Sequence, residues 1–149
     1  MADQMFRKMI ANEGVPVIEA AAFTSPPPLA EARVAIVTTA GLRKAGDAAW
    51  GPGDQSFRVF DNDDRDVQLG HLSPNFDRAG FAADINVAYP ADRLAELAAE
   101  GTIGSVGAHH ISFMGAQDDT MTKIRMDSGK AAAKILKDDG VNVVILTPV

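Results

Sequence analysis

Residues 141–147 read Val-Asn-Val-Val-Ile-Leu-Thr, a nearly unbroken run of β-branched and apolar side chains. Such a run is typical of a strand that helices cover on both faces, as in parallel sheets. The preceding stretch, 119–138, has a helical period, because its small or apolar residues recur at spacings of three and four: Met121, Ile124, Ser128, Ala131 and Ile135. Gly140 ends this helix. Helix, glycine turn and buried strand predict an α/β fold with an open, largely parallel sheet layered with helices, Rossmann- or flavodoxin-like.

Further strands and one more helix extend this unit. Arg33–Thr39 is a short apolar run that predicts a buried strand, and 56–60 and 84–89 alternate like half-buried strands. Pro90 favours the start of a helix that runs to about Glu100. The stretches rich in glycine or polar residues are interpreted as mostly loop, and they are 42–55, 61–66, 71–77 and 102–115.

The 149 residues are long enough for one domain with a core of its own. Residues 1–31 are interpreted as an N-terminal arm, because the run Ser25-Pro26-Pro27-Pro28 does not fit a regular helix or a central strand. Residues 32–149 form the predicted α/β domain. Ligands and catalytic groups of open α/β sheets collect at the carboxyl ends of the strands, and only Pro148 and Val149 follow the last one. We therefore expect the fold to be incomplete at its C-terminus.

Composition excludes several kinds of function. The chain has no cysteine, so it contains no disulfide, no thiolate metal ligand and no cysteine nucleophile. A net charge of -6 disfavours binding to nucleic acid. No apolar run reaches the roughly twenty residues of a membrane helix, and the N-terminus lacks the plan of a signal peptide. A cytoplasmic protein that binds neither nucleic acid nor membranes is expected.

Few residues suggest chemistry, and each has a plainer interpretation. Thr38 and Thr39, at the end of the first strand, offer hydroxyls to an anion, but a simple strand-to-loop turn needs the same residues. The histidines, His71 and the pair His109–His110, lie in predicted loops, where one of them could act in acid–base chemistry or anchor a substrate. The alternative is a loop histidine that bonds a backbone group. No metal site is expected, because no ligand spacing relates these loops and adjacent histidines on a strand point apart.

Several blocks of the sequence, in order and at compatible spacings, resemble one family. They are VAIVTTAG (34–41), GDQSFRV (53–59), HLSPNFD (71–77), DINVAYP (84–90), DRLAELAAEG (92–101), IGSV (103–106), HISFMG (110–115) and DGVNVVILTP (139–148). Together they resemble the selenoprotein B family of glycine, sarcosine, betaine and D-proline reductases, in particular its shorter, D-proline-reductase-type members. The resemblance spans most of the chain from about Ala30 onward.

The resemblance implies an oxidoreductase that reductively cleaves a C–N bond of a small amino-acid substrate. It implies a selenol or thiol as nucleophile, a partner subunit with a pyruvoyl group, and a dithiol or thioredoxin-like electron donor. In that family the strand that resembles 141–148 leads directly to a selenocysteine or cysteine. We therefore expect the redox residue to follow Val149, the chain to be a truncated product, and the isolated chain to be inactive.

Carried over position by position, the resemblance implies four candidate pocket-lining residues, which are His71, Asp77, His110 and Ser112. Thr39 and Thr147, at strand ends nearby, complete the set of candidates. No catalytic residue is expected within the chain. His109 and Ile111 depart from the residues often seen at those positions of the family, which leaves the substrate open. The alternative function is a non-catalytic α/β module that binds a small molecule or another subunit. Apolar surface left uncovered on 119–138 and 141–147 would also favour a homo-oligomer.

Overall fold

Strand β1 (Arg33–Thr38) lies at the centre of the main sheet. The computed structural model describes residues 4, 5, 8, 24–76, 78–117 and 120–149. Strand β7 (Val143–Thr147) pairs with β1 in parallel along its whole length, from Val34↔Val143 to Thr38↔Thr147. On the other side of β1 lie β5 (Ser105–Val106) and β6 (His109–Phe113), both parallel to it. Strand β3 (Phe57–Asp61) pairs antiparallel with β6 and forms one edge of the sheet.

The remaining elements are short. Strands β2 (Leu42–Lys44) and β4 (Val67–Leu69) form a separate antiparallel pair. The helices are α1 (Arg78–Ala83), α2 (Ala91–Ala99) and α3 (Gly129–Asp138). Leu29–Glu31 and Ile85–Val87 form single 3₁₀ turns, and Ile124–Ser128 forms a π-helical turn directly before α3. None of the helices in the described residues is long and apolar enough to cross a lipid bilayer.

Alternate side chains of β1 enter two cores on opposite faces of the sheet. Val34 and Ile36 belong to the core that Leu94 of α2 and the ring of Phe60 complete. Ala35 faces the other way, towards Ile111 and Phe113 of β6 and the buried residues of α3. Strands bordered by helices on both faces, with mainly parallel pairing, confirm the predicted α/β class. The more specific Rossmann- or flavodoxin-like arrangement and the division at residue 31 stay predictions.

Two predictions about local structure were wrong. Residues 84–89 are not a strand, because the Asp84 carboxylate accepts a hydrogen bond from the N–H of Asn86 and starts the 3₁₀ turn 85–87. Residues 102–115 are not a loop, since they contain β5 and β6. Gly107 separates these strands where the sheet packs tightly, and a Cβ there would lie 2.8 Å from Cγ2 of Val141. The glycines that suggested a loop instead permit close packing.

The predicted helix 119–138 ends at Gly140 as expected, in the left-handed conformation with φ 74°, but its buried face differs. Residues 118 and 119 lie outside the described residues. The π-helical turn inserts an additional residue into the helical period, so that Ala132 and Leu136 are buried where Ala131 and Ile135 were expected. The buried hydroxyl of Ser128 donates to the backbone oxygen of Gln55, 2.6 Å away, at this turn.

The outer side of β7 borders an apolar groove. Within the described residues, no strand pairs with this edge of β7. Val144 and Leu146 project there with exposed fractions of 40% and 70%. Together with Ala132, Ala133 and Leu136 of α3 they line a groove of about 450 Å³. Among the described residues, α3 and β7 therefore leave apolar surface exposed, at the place that the sequence predicted.

At the amino-terminal end of the sheet, Asp139 joins three elements. Its carboxylate accepts hydrogen bonds from Arg33 Nη2 (2.6 Å) and from the N–H groups of Ala108 (2.6 Å) and His109 (3.2 Å). Burial opposes ionisation, but these hydrogen bonds outweigh it and hold the pKa of Asp139 below its usual value. This one side chain therefore connects the end of α3 to β1 and to the turn between β5 and β6.

We expect Asp139→Asn to lower the free energy of unfolding by about 2–3 kcal/mol, because it removes a charged acceptor from three donors. The neighbouring Asp138→Asn is the matched control. Its exposed ion pair with Lys134 is worth about 0.5 kcal/mol. Urea denaturation of both variants measures the difference, and equal losses would contradict the role assigned to Asp139.

Candidate functional site

A cavity of about 200 Å³ lies at the carboxyl ends of the parallel strands. It is formed by the segment after β4 and by the residues that follow β6 and β7. Its lining residues are His71, Ser73, Asn75, Phe76, Gly115, Ala116 and Val149. Ligand sites of open α/β sheets form at this edge, so the position agrees with the sequence-based expectation for where chemistry occurs.

Gly115 lines the cavity at a point where three segments of the chain meet. A Cβ at this position would lie 2.7 Å from the backbone oxygen of Val149, 2.9 Å from that of Thr39 and 3.0 Å from Nε2 of His71. Two of these atoms belong to the backbone and cannot move aside cheaply. The close approach of three segments therefore requires glycine here.

His71 is buried and its orientation is fixed from several sides. Its Nδ1 accepts a hydrogen bond from the N–H of Ser73 (3.1 Å), and its ring stacks on Phe76 at 4.6 Å between centroids. Burial, and secondarily the positive charge of Arg78, lowers the pKa of His71. Since Nδ1 is an acceptor, the neutral ring carries its proton on Nε2. This Nε2 is buried and has no hydrogen-bond partner in the structure.

Thr39 holds Val149 beside the cavity. The N–H of Val149 donates to Oγ1 of Thr39 (2.9 Å), and this hydroxyl donates to the backbone oxygen of Val149 (3.2 Å). Thr38 Oγ1 donates to the backbone oxygen of Thr147 and accepts from the N–H of Ala40. Because both hydroxyls are bonded within the chain, the structure favours the plain strand-to-loop turn over an anion site made by Thr38 and Thr39.

The other candidate residues lie away from this cavity. Ser112 is buried and accepts a hydrogen bond from the N–H of Leu42, and the hydroxyl of Thr147 donates to the backbone oxygen of Ala88. Asp77 lies outside the described residues. Thus His71 lines the cavity and Thr39 bonds the lining residue Val149. Ser112 and Thr147 instead hold neighbouring segments together. The functional roles of all these residues stay predictions.

His110 is fully buried within β6. Its Nδ1 accepts a hydrogen bond from the N–H of Ile36 (3.1 Å), its Nε2 lies 3.2 Å from Oδ1 of Asn62, and the ring meets Tyr89 edge-on. Burial is the main cause that lowers its pKa to about 4. His110 thus joins β6 to β1 as a neutral ring. Its neighbour His109 points to the other face, as expected for adjacent strand residues, and lies 3.7 Å from Asp139.

Most of the lining residues were not predicted. Ser73, Asn75 and Phe76 belong to the block 71–77, and Gly115 and Ala116 lie at the end of the block 110–115 and directly after it. The available signal was a turn-forming Ser-Pro-Asn sequence and a glycine directly after an apolar run. In the described part of the chain, no three or more His, Cys, Asp or Glu side chains are arranged to hold a metal ion.

Comparison with known proteins identifies the family. Residues 8–149 match the family model described as glycine/sarcosine/betaine reductase selenoprotein B, and the chain belongs to this family. It is also 35% identical over 122 residues to D-proline reductase subunit gamma of Acetoanaerobium sticklandii. The alignment covers 80% of this chain and 49% of that relative, so the chain spans about half its length. No solved structure matches the chain. The family inferred from the sequence is confirmed.

We expect Gly115→Ala to lower the free energy of unfolding by about 2 kcal/mol, because its methyl group would press on two backbone oxygens and on His71. Gly51→Ala is the control, since a Cβ there would meet nothing within 4 Å. Thermal and urea unfolding measure both effects. If the Gly115→Ala protein were as stable as the Gly51→Ala protein, the three segments would not approach as described.

The low pKa of His110 predicts a dependence of stability on pH. Between its usual value of 6.5 and its folded value of about 4, the unfolded chain binds a proton that the folded chain does not. The free energy of unfolding should therefore fall as the pH falls through this window, by up to about 3 kcal/mol from this residue.

His110→Asn tests this origin, because its amide oxygen can still accept from Ile36 while the side chain no longer titrates. We expect the variant to be less stable at pH 7 but to lose less stability between pH 6.5 and pH 4. Aspartates with lowered pKa values titrate at lower pH in both proteins. Parallel stability curves for the two proteins would assign the pH dependence to other groups.

Proposed function

We propose that this chain is the N-terminal part of the redox subunit of an amino-acid reductase, which reductively cleaves a C–N bond of glycine, sarcosine, betaine or D-proline. The observation that carries the proposal is the cavity at the carboxyl ends of β1, β6 and β7, where the N–H of His71 has no partner. Membership of the family and the identity to a D-proline reductase subunit support it.

The nucleophile is proposed to come from outside residues 1–149, because the chain has no cysteine. In the assembled enzyme a selenol, or a thiol, supplies the nucleophile, and a pyruvoyl group of a partner subunit supplies a reactive carbonyl. The cavity fits such an arrangement, since it holds an unpartnered donor and lies beside Val149. A selenol suits this role because it is ionised at neutral pH, where a thiol of pKa about 8.5 mostly is not.

The residues of this chain are proposed to determine the shape of the pocket and to exclude water from it. Phe76 stacks on His71 and keeps water from one face of the ring. Gly115 allows the segments of Thr39, His71 and Val149 to approach closely, and Thr39 fixes the position of Val149. These contacts position groups and exclude water, which are general contributions to catalysis.

The overall reaction needs two electrons and two protons. The C–N bond breaks, carbon and nitrogen each gain a hydrogen, and a dithiol or thioredoxin-like donor is oxidised to its disulfide. Glycine would release ammonia, sarcosine and betaine would release methylamine and trimethylamine, and D-proline would open its ring and remain one molecule. We propose a cytoplasmic location, because this chemistry depends on a compartment that keeps thiols reduced.

A second candidate function is a module that binds another subunit or a second copy of the chain without catalysis. The apolar groove between α3 and β7 favours it, because Val144 and Leu146 are exposed there. Apolar surface of this kind usually marks an interaction site. Both functions are compatible, since a reductase subunit also needs partners.

The test is to purify the protein with its natural partners through an N-terminal tag and to supply each of the four substrates with dithiothreitol. We expect one substrate to be consumed, with amine release or ring opening identifying which. Borohydride, which reduces carbonyls, should inactivate the complex through the pyruvoyl-bearing partner. The 149-residue chain alone should show no turnover.

Two results would count against the reductase. An intact complex that consumes none of the four substrates, and that has no partner sensitive to borohydride, would favour the binding module. Turnover by the cysteine-free chain alone would refute the proposal that the nucleophile comes from elsewhere.

A further inference from the structure

His71 lines the cavity, and its buried Nε2–H has nothing to donate to in the structure. Its exposed fraction is only 7%, and its Nε2 is among the buried polar atoms without a partner. An unpaired buried donor destabilises the folded chain, so an acceptor that reached this N–H would relieve a penalty that is already present. The structure is therefore prepared for a ligand that brings an acceptor atom.

The donor is the neutral ring in a fixed tautomer. The N–H of Ser73 occupies Nδ1, which leaves the proton on Nε2. Phe76 stacks on one face of the ring and holds its plane. The backbone oxygen of His71 accepts from Nη2 of Arg78 at 2.8 Å, which fixes the backbone as well. The N–H direction is thus set before any ligand arrives.

Among the described side chains, Arg78 places a positive charge beside the cavity. Arg78 donates to the backbone oxygens of His71, Ser73 and Phe76, so its positive charge lies against the segment that forms the wall. None of the described lining residues has an acidic side chain. Asp77, next to this segment, lies outside the described residues.

The size of the cavity limits the ligand. A volume of about 200 Å³ leaves room for roughly half a dozen non-hydrogen atoms, at about 30 Å³ for each water-sized group.

We propose that the cavity binds a small carboxylate, with Nε2–H of His71 as the donor to one carboxylate oxygen. His71 is then a positioning residue, which holds the ligand beside Gly115 and Val149. In the proposed reductase this carboxylate belongs to the amino-acid substrate, and to that extent the inference rests on the proposed function. Binding itself requires neither a nucleophile nor a partner subunit.

The experiment uses the 149-residue chain with two glycines added after Val149, so that no terminal carboxylate lies next to the cavity. Long-range ¹H–¹⁵N NMR spectra of the imidazole rings report the tautomer and protonation of His71. Acetate is the probe, and acetamide is its uncharged counterpart of the same size. We expect the Nε2–H tautomer without ligand, and a saturable shift of Nε2 with acetate that is at least about tenfold weaker with acetamide.

Variants separate hydrogen bonding from shape. His71→Phe keeps the stacking on Phe76 but lacks the donor, and it should weaken acetate binding about tenfold or more. His71→Gln offers an amide N–H and should restore part of the affinity. His109→Gln, at the opposite end of β6, is the matched control and should leave binding unchanged. Dispersed amide spectra check that each variant is folded.

The pH dependence distinguishes a neutral donor from a charged one. Because the low pKa of His71 keeps the ring neutral, acetate affinity should stay constant between pH 7 and pH 9, with Arg78 as the nearby charge. An affinity that falls steeply over this range, a ring with its proton on Nδ1, or equal binding of acetate and acetamide would overturn the inference. If acetate binds as expected but the purified complex reduces no substrate, the inference holds and the proposed reductase fails.

Discussion

The parallel pairing of β1 with β7 is the constraint on which the rest of the structure depends. Five residue pairs, from Val34↔Val143 to Thr38↔Thr147, fix the register of the two strands. This register places α3 against one face of the sheet and brings Val149 to Thr39 at the carboxyl edge. A slip by one residue would turn the side chains of β7 to the opposite faces and move Val149 from the cavity. The candidate site is thus a consequence of strand register.

The sequence was sufficient to predict elements whose own residues determine them. The apolar runs at 33–39 and 141–147 formed the parallel pair of β1 and β7, and Gly140 ended α3 because a residue in the left-handed conformation is needed there. Prediction failed where distant contacts decide the structure. Strand β6 lies between two glycine-rich turns, and its pairing with β1 and β3 overrides the loop-like composition of 102–115. The carboxylate of Asp84 likewise accepts a hydrogen bond from the N–H of Asn86, and this segment does not enter a sheet.

The sequence predicted where the cavity lies in the fold, but it predicted few of the residues that line it. The rule that ligands lie at the carboxyl ends of parallel strands predicted this place and drew attention to Thr39 at a strand end, and the resemblance pointed to His71. The resemblance also pointed to His110, whose partners Ile36 and Asn62 come from other strands and turns and make it part of the core. A single sequence does not reveal whether a histidine finds its partners inside the fold. The sequence alone also did not reveal why residue 115 must be glycine, because the need arises only where the segments of Thr39, His71 and Val149 meet.

The position of β1 in the chain also has a consequence for how the protein is made. Its full-length partner β7 lies 109 residues further along, and β5 and β6 come after residue 104. While the chain emerges from the ribosome, Val34 and Ile36 therefore stay unpaired until β5, β6 and β7, their partners among the described strands, have been synthesised. Such long-range pairing is slow, and an unpaired apolar strand invites aggregation during the delay. Because the described partners of β1 come late in this sequence, this strand stays open to such aggregation until β5, β6 and β7 have been synthesised.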